Sequence, residues 1–259
     1  MGISEQYTKE IQEQLKYSAT WFPNLPISLG DIGTLENHQF QPQGNLRDLG
    51  IAFDSHEGGG EAEFQFASKN AVSIGVNLKG EAPLVGSGIA QANADVNIKF
   101  GRENAILFRA TGCTSTRIKD IKALSATIKE RHADGKWERN QVVVTQVINA
   151  KGTTVIISAG QNSEIVLSAK GNIGSGNINL ADVSAGLKIV SESNIATRIV
   201  AEPSITPLFV AWGLVRNPWK LFSKLELEAV RQRDDAVESL EFSAVDYGDY
   251  ESEASATTR

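Results

Sequence analysis

Three histidines, one cysteine and a glycine-rich run are the residues of this chain that most readily suggest bond-making chemistry. His38, His56 and His132 lie far apart in sequence and share no metal-ligand spacing with Cys113. The pair His56-Glu57 lacks the second histidine of a zinc-protease helix. No serine occupies a nucleophile-elbow pattern. The run GNIGSGN (171–177) has no Lys-Ser/Thr ending and opens no amphipathic helix, so it reads as a turn or connector and not as a phosphate cradle. The expectation is a protein that is not an enzyme, with no catalytic residues, no cofactor and no metal. Cys113 forms no internal disulfide, which suits a reducing compartment.

A different kind of chemistry, the partition of side chains between water and apolar surroundings, is written more clearly. In EAEFQFASKNAVSIGVNLKG (61–80), Phe64, Phe66, Val72, Ile74, Val76 and Leu78 hold the even positions, against Glu61, Glu63, Gln65, Lys69, Ser73, Asn77 and Lys79. A second run sets Ala90, Ala92, Ala94, Val96, Ile98 and Phe100 against Gln91, Asn93, Asp95, Asn97 and Lys99. The connector EAPLVGSGI (81–89) joins them, and alternation on both sides of a short connector signals a hairpin. The first run is roughly three times the usual strand length of about 5–6 residues.

Three arrangements give such a pattern. One is a sheet with one face packed and one wet. Another is a small closed barrel around a ligand. The third is a transmembrane hairpin, whose strands need about 9–11 residues. Charges at Glu63, Lys69, Asp95 and Lys99 suit an aqueous lumen better than a ligand cavity. A lone hairpin in hydrocarbon leaves backbone groups unpaired on both edges, at several kcal/mol each, so insertion implies a closed ring of many copies. In the soluble state the chain's own elements must then cover the apolar face.

The surrounding elements follow from periodicity. Tyr7, Ile11 and Leu15 mark an amphipathic helix over 4–17 with Ser4 as its cap. Residues 20–50 read as loop-rich, and AILFRA (105–110) continues the sheet. Ile118, Ile121, Leu124 and Ile128 predict a helix over 115–131 with a basic face that includes Arg117. Lys119, Lys122, Lys129 and Arg131 on that face are candidate lipid-docking residues, attracted to anionic headgroups. Strands are expected at 141–150, 153–159, 163–169 and 195–202, with a second, weaker hairpin over about 153–190. A helix near 218–240 carries Trp219, Leu221, Phe222, Leu225 and Leu227, and the final twenty residues read as a polar, acidic tail outside the fold. The division expected is a pore-forming body over 1–217 and a C-terminal helix and acidic tail over 218–259, with a possible regulatory role for that segment.

Net charge over the 259 residues is −6, which argues against a general nucleic-acid partner. The negative charge is concentrated after residue 233, where eight acids face Arg259 alone. The first twenty residues hold no continuous apolar run, and no run approaches a transmembrane helix. Met1-Gly2 resembles a myristoylation start, but Gln6 stands where Ser or Thr is wanted. A soluble cytosolic chain is expected.

WERNQVVVTQVINA (137–150), directly after the basic helix, resembles the gasdermin segment in which a helix and polar linker lead into a strand of the type VVTEV, with Gln146 in place of the usual Glu. VSAGLKIVSESNIATRIVAEPS (183–204) is similar to the stretch in which gasdermins pair an edge strand with the last strand of the pore-forming domain. The two hairpin regions fall in the family's order, and the resemblance covers most of residues 1–215. The chain has no room for the large inhibitory domain of animal members, as in small bacterial and fungal ones, and it lacks the acylated cysteine that bacterial members often carry near the start.

The resemblance implies a cell-death effector, often acting in defence, with an α+β fold: a twisted, mainly antiparallel sheet with packed helices and two amphipathic hairpin regions. It implies a latent protein, cytoplasmic when inactive, that on activation by a protease or partner forms a homo-oligomeric ring in the inner or plasma membrane. Anionic lipid would be its partner. Phe64, Phe66, Val72, Ile74, Val76, Leu78, Ala92, Ala94, Val96, Ile98 and Phe100 would face lipid. The alternative is a soluble β-rich binding module with no membrane activity.

Overall fold

The computed structural model describes residues 2–78, 94–169, 187–216, 240–245 and 247. In chain order these form α1 (Ile3–Leu15), β1 (Ser18–Ala19), β2 (Asp31–Glu36), β3 (Gln39–Asn45), a short 3-10 turn (Leu46–Leu49), β4 (Ser55–Ala67), β5 (Val72–Leu78), β6 (Ala94–Phe100) and β7 (Ile106–Ile118). Then come α2 (Ile121–Ala133), β8 (Gln141–Ala150), β9 (Gly152–Ser158), β10 (Ser163–Ala169), β11 (Leu187–Ser193), β12 (Ile195–Glu202), β13 (Ile205–Arg216) and β14 (Leu240–Val245). The class is α+β, mostly antiparallel sheet with two helices. The larger sheet has ten strands in the path β1-β13-β8-β7-β9-β12, with β4 on β7, β2 on β8, β3 on β2 and β14 on β13. The smaller sheet has four, in the order β11-β10-β6-β5.

By contact the chain divides into two compact units. The first comprises Met1–Pro26, Glu57–Ser115 and Ile148–Leu208. Its α1 buries Tyr7 and Ile11, one turn apart. They join Ile106, Phe108, Val155 and Ile157 in one core cluster, with Leu15, Phe64 and Phe66 packed at its margin. The helix ends at Lys16, whose N–H still donates to the Gln12 carbonyl while its left-handed backbone (φ 62°) turns the chain out of the helix. Gly2, not Ser4, is the N-cap; Ser4 lies in the first turn, and the Gly2 N–H donates to the Glu5 carboxylate at 3.3 Å.

The intervening residues of β7 and β9 face the other way. Leu107 and Ile156 belong to a second cluster with Val96, Ile98, Phe100, Ile165 and Leu167 of the four-stranded sheet. This unit therefore has three layers: α1, the strands of the larger sheet, and the smaller sheet. Strands apolar on both faces read as continuous apolar runs, which is why VII (155–157) shows no alternation.

The second unit comprises Ile27–His56, Thr116–Val147 and Phe209–Arg259. Its core gathers Ile32, Leu46, Ile118, Leu124, Ile128, Trp137, Val143, Leu214 and Phe242. Helix α2 starts at Asp120, whose carboxylate accepts from the Ala123 N–H at 2.8 Å.

The structure departs from the sequence expectations at four further places. Residues 61–80 are not one strand: β4 ends at Ala67, β5 begins at Val72, and the two lie in different sheets. Ser115–Ile118 extends β7 instead of opening the helix, because Ile118 is buried in the second unit's core. The loop-rich stretch 20–50 contains the hairpin β2–β3, closed by Asn37 and His38, both with positive φ as a two-residue hairpin turn requires. The acidic end is not wholly outside the fold, because β14 pairs with β13 from Ala211↔Val245 to Arg216↔Leu240 and buries Phe242 and Val245.

Candidate functional site

The residues singled out for bond-making chemistry are dispersed. His38 sits in the β2–β3 turn against the Tyr247 ring, and His56 is exposed at the start of β4. His132 lies on α2 with Nδ1 2.8 Å from the Trp137 carbonyl, to which it donates. Burial first, and then the charge of Glu63, pushes the Cys113 thiol up to about 11, which leaves it protonated and weakly nucleophilic at neutral pH. Among the described residues no group of His, Cys, Asp and Glu is placed to hold a metal ion.

The alternating segments do come together. Hairpin β5–β6 pairs Val72 with Phe100, Ile74 with Ile98 and Val76 with Val96. Hairpin β10–β11 joins it through β6, with Ile165 opposite Ile98 and Leu167 opposite Val96. Opposed residues in an antiparallel pair project from the same face, so the expected apolar face is a continuous surface across both hairpins. In this state it is covered. Val96, Ile98, Phe100, Ile165 and Leu167 are at most 2 % exposed. At the outer strand β5 the cover thins: Ile74 is 53 % exposed. Phe64 and Phe66 stand apart from this surface, packed beside the α1 cluster. Ala92 lies outside the described residues, as do the connectors 79–93 and 170–186, and nothing is described of the side chains of Val76, Leu78 and Ala94.

The order of strands is the same in both sheets. The larger sheet places β4, β7, β9 and β12 side by side, and the smaller places β5, β6, β10 and β11 side by side. Each strand of one set is followed or preceded directly in the chain by its counterpart in the other. The smaller sheet is thus the continuation of four strands of the larger, folded back on it at four bends. Each bend contains an asparagine in the left-handed region: Asn70 (φ 56°), Asn104 (φ 54°), Asn162 (φ 59°) and Asn194 (φ 57°). Asparagine tolerates this conformation where β-branched residues do not.

Hydrogen bonds cross from bend to bend. The Gly101 N–H donates to Ala71 at 2.8 Å, the Asn104 N–H to Ser158 at 3.1 Å, and the Ala159 N–H to Asn194 at 2.8 Å. A Cβ on Gly160 would stand 2.3 Å from Asn194 Nδ2, so a larger residue there would require the Asn194 side chain to move. Asn70, with Ser68, interrupts the apolar side of its alternating run in the sequence, whereas Asn104, Asn162 and Asn194 carry no local mark of a bend. Asn162 is exposed, so Asn162→Val is expected to cost about 1–2 kcal/mol through backbone strain, whereas Asn162→Gly stays close to wild type. Urea unfolding of the two variants checks this; equal stabilities contradict it.

The basic residues of α2 do not form one patch. Lys122 and Lys129 are exposed and lie two turns apart on one side, whereas Arg131, two residues on and about 200° round the helix, is half-buried. Lys119 precedes the helix and is exposed, its N–H donating to the Asp54 carbonyl at 2.9 Å. Trp219, Leu221, Phe222, Leu225 and Leu227 lie outside the described residues. No helix among the described residues is long and apolar enough to cross a membrane, which says nothing of strands. No protein-family model matches the chain, and no curated protein matches it in sequence.

Proposed function

We propose that this chain is a latent pore-forming protein, in which straightening of the four bends converts two folded-back hairpins into membrane-spanning strands of a homo-oligomeric ring. The observation that carries the reading is the shared strand order, β4-β7-β9-β12 in one sheet and β5-β6-β10-β11 in the other. Straightening then needs no exchange of neighbours within the chain. The resulting runs, 55–78, 94–118, 152–169 and 187–202, each exceed the about 9–11 residues needed to span a bilayer. Closure into a ring supplies partners for the edges that hydrocarbon would leave unpaired. The resemblance to gasdermins described above points the same way, towards a cell-death effector acting in defence. On this reading the inactive chain is cytoplasmic, anionic lipid is the target, and a protease or partner protein is the trigger.

The second reading, a soluble β-rich binding module, has one observation in its favour: the centre of the apolar face is as fully buried as an ordinary sandwich core. Release of a trapped dye from phosphatidylserine-containing vesicles, followed by electron microscopy of those vesicles, separates the two. Leakage with ring-shaped particles supports the pore; a protein that stays inert after proteolytic or detergent activation supports the binding module.

Docking is expected to use the exposed side of α2. Each basic residue near an anionic surface contributes about 1 kcal/mol, so Lys122→Glu with Lys129→Glu weakens binding to phosphatidylserine vesicles by roughly tenfold or more at low salt. Binding unchanged in a sedimentation assay would remove α2 from the docking surface.

A further inference from the structure

Glu10 lies on α1 between its two buried anchors, Tyr7 and Ile11, and its side chain is 18 % exposed. One carboxylate oxygen accepts a hydrogen bond from Ser68 Oγ at 2.6 Å. The other accepts from Arg102 Nη2 at 2.7 Å and from Gln6 Nε2. Ser68 stands in the bend between β4 and β5, and Arg102 in the bend between β6 and β7. These two bends are the feet of the first hairpin, the points where it leaves and rejoins the larger sheet.

The contacts leave little freedom at either foot. Ser68 Oγ already accepts the Ile106 N–H at 3.0 Å, so its only proton is committed to Glu10. The Ser68 N–H donates to the Ile106 carbonyl at 2.9 Å. The Arg102 carbonyl accepts from Ser158 Oγ at 2.6 Å. Partial burial pushes the Glu10 carboxyl up, but the bonds from Ser68, Gln6 and Arg102, with the charge of Arg102, outweigh it and hold the group below the ordinary carboxylate range. Glu10 is therefore an anion at neutral pH, and its bonds are of the strong, charge-assisted kind.

We propose that Glu10 makes α1 an autoinhibitory latch: a single carboxylate ties down both feet of the β5–β6 hairpin, which lifts from the larger sheet only after α1 releases it. Tyr7 and Ile11 fix the helix in the core, so Glu10 cannot follow either foot when β4–β5 or β6–β7 straightens. The purpose of that release rests on the pore-forming reading; the latch itself does not, and the test separates them.

Hydrogen exchange is measured by mass spectrometry on the full chain in solution for wild type, Glu10→Gln, Ser68→Ala and, as control, Glu13→Gln, an exposed acid on the next turn of α1. Glu10→Gln and Ser68→Ala are expected to speed exchange about tenfold or more across 68–71, 101–105 and β5–β6 while β9 amides stay at the wild-type rate. Glu13→Gln changes nothing. Arg102→Gln, at a side chain 38 % exposed, serves if Glu10→Gln does not fold, and in combination with Glu10→Gln it adds less than its separate effect. Unchanged exchange at the feet, or equal acceleration throughout the unit, overturns the latch. Dye release from phosphatidylserine vesicles is read in parallel, before and after proteolytic or detergent activation. Faster exchange with no leakage from any variant defeats the pore reading and keeps the latch; leakage by wild type with unchanged exchange does the reverse.

Discussion

Ile74→Lys is expected to abolish dye release while leaving the soluble fold intact. Ile74 shares a face with Ile98, directly opposite it, yet is 53 % exposed because β5 is the outer strand of the smaller sheet. A lysine there keeps its charge in water in the folded-back state. In an inserted ring the same residue meets acyl chains, where a midplane Lys costs about 2–4 kcal/mol, and the cost recurs in every copy. Ser73→Lys is the control: Ser73 is also exposed, on the opposite face, and would line water in both states. Circular dichroism and urea unfolding establish that both variants fold, and vesicle leakage is then compared. Equal loss of leakage in both variants would mean that the alternation belongs to a soluble sheet. Ile98→Lys is a poorer probe, since Ile98 is fully buried and the charge would disrupt the folded-back state itself.

Ile98→Ala should produce two large effects of opposite sign. Ile98 lies in the cluster that joins the smaller sheet to Leu107 and Ile156 of the larger. Truncating a fully buried isoleucine costs about 2–5 kcal/mol through lost transfer energy and the cavity left behind. That loss falls on the folded-back state alone, because lipid chains close around the smaller side chain where a packed interior cannot. The variant is therefore expected to unfold at lower urea concentration and yet to release dye faster than wild type, or at lower protein concentration. Leu214→Ala is the comparison, since Leu214 is equally buried but belongs to the second unit's core. It should lose comparable stability without the gain in leakage. Parallel behaviour of the two would show that general loosening, not release of the smaller sheet, controls activity.

Much of this fold was legible because it is local. Tyr7 and Ile11 are one turn apart, and a helix that buries them can be read from spacing alone. Val96, Ile98 and Phe100 announce a one-sided strand because side chains in a strand alternate with period two, and the structure buries all three. The pairing of Val72–Leu78 with Ala94–Phe100 follows from the same pattern. Where a local signal was present but weak, the reading slipped. The Asn37-His38 turn lacks the glycine that usually marks such hairpins, and Leu240–Val245 looked like acidic tail because Glu241 and the acids around it hid the inward-facing Phe242 and Val245.

The break between β4 and β5 belongs to another class. Across 61–80 only Ser68 and Asn70 interrupt the apolar side, and the parity of apolar positions is the same before and after them, so the sequence marks an interruption without separating one long strand from two strands in different sheets. The separation is made by contacts remote in sequence: Ser68 with Glu10, 58 residues away, and Arg102 with the same carboxylate, 92 residues away. By itself the sequence determined which residues share a face, because that depends only on backbone geometry between neighbours. Whether the face meets the chain's own core or something outside it was decided by tertiary structure alone, because burial is a property of distant segments that must first be brought together.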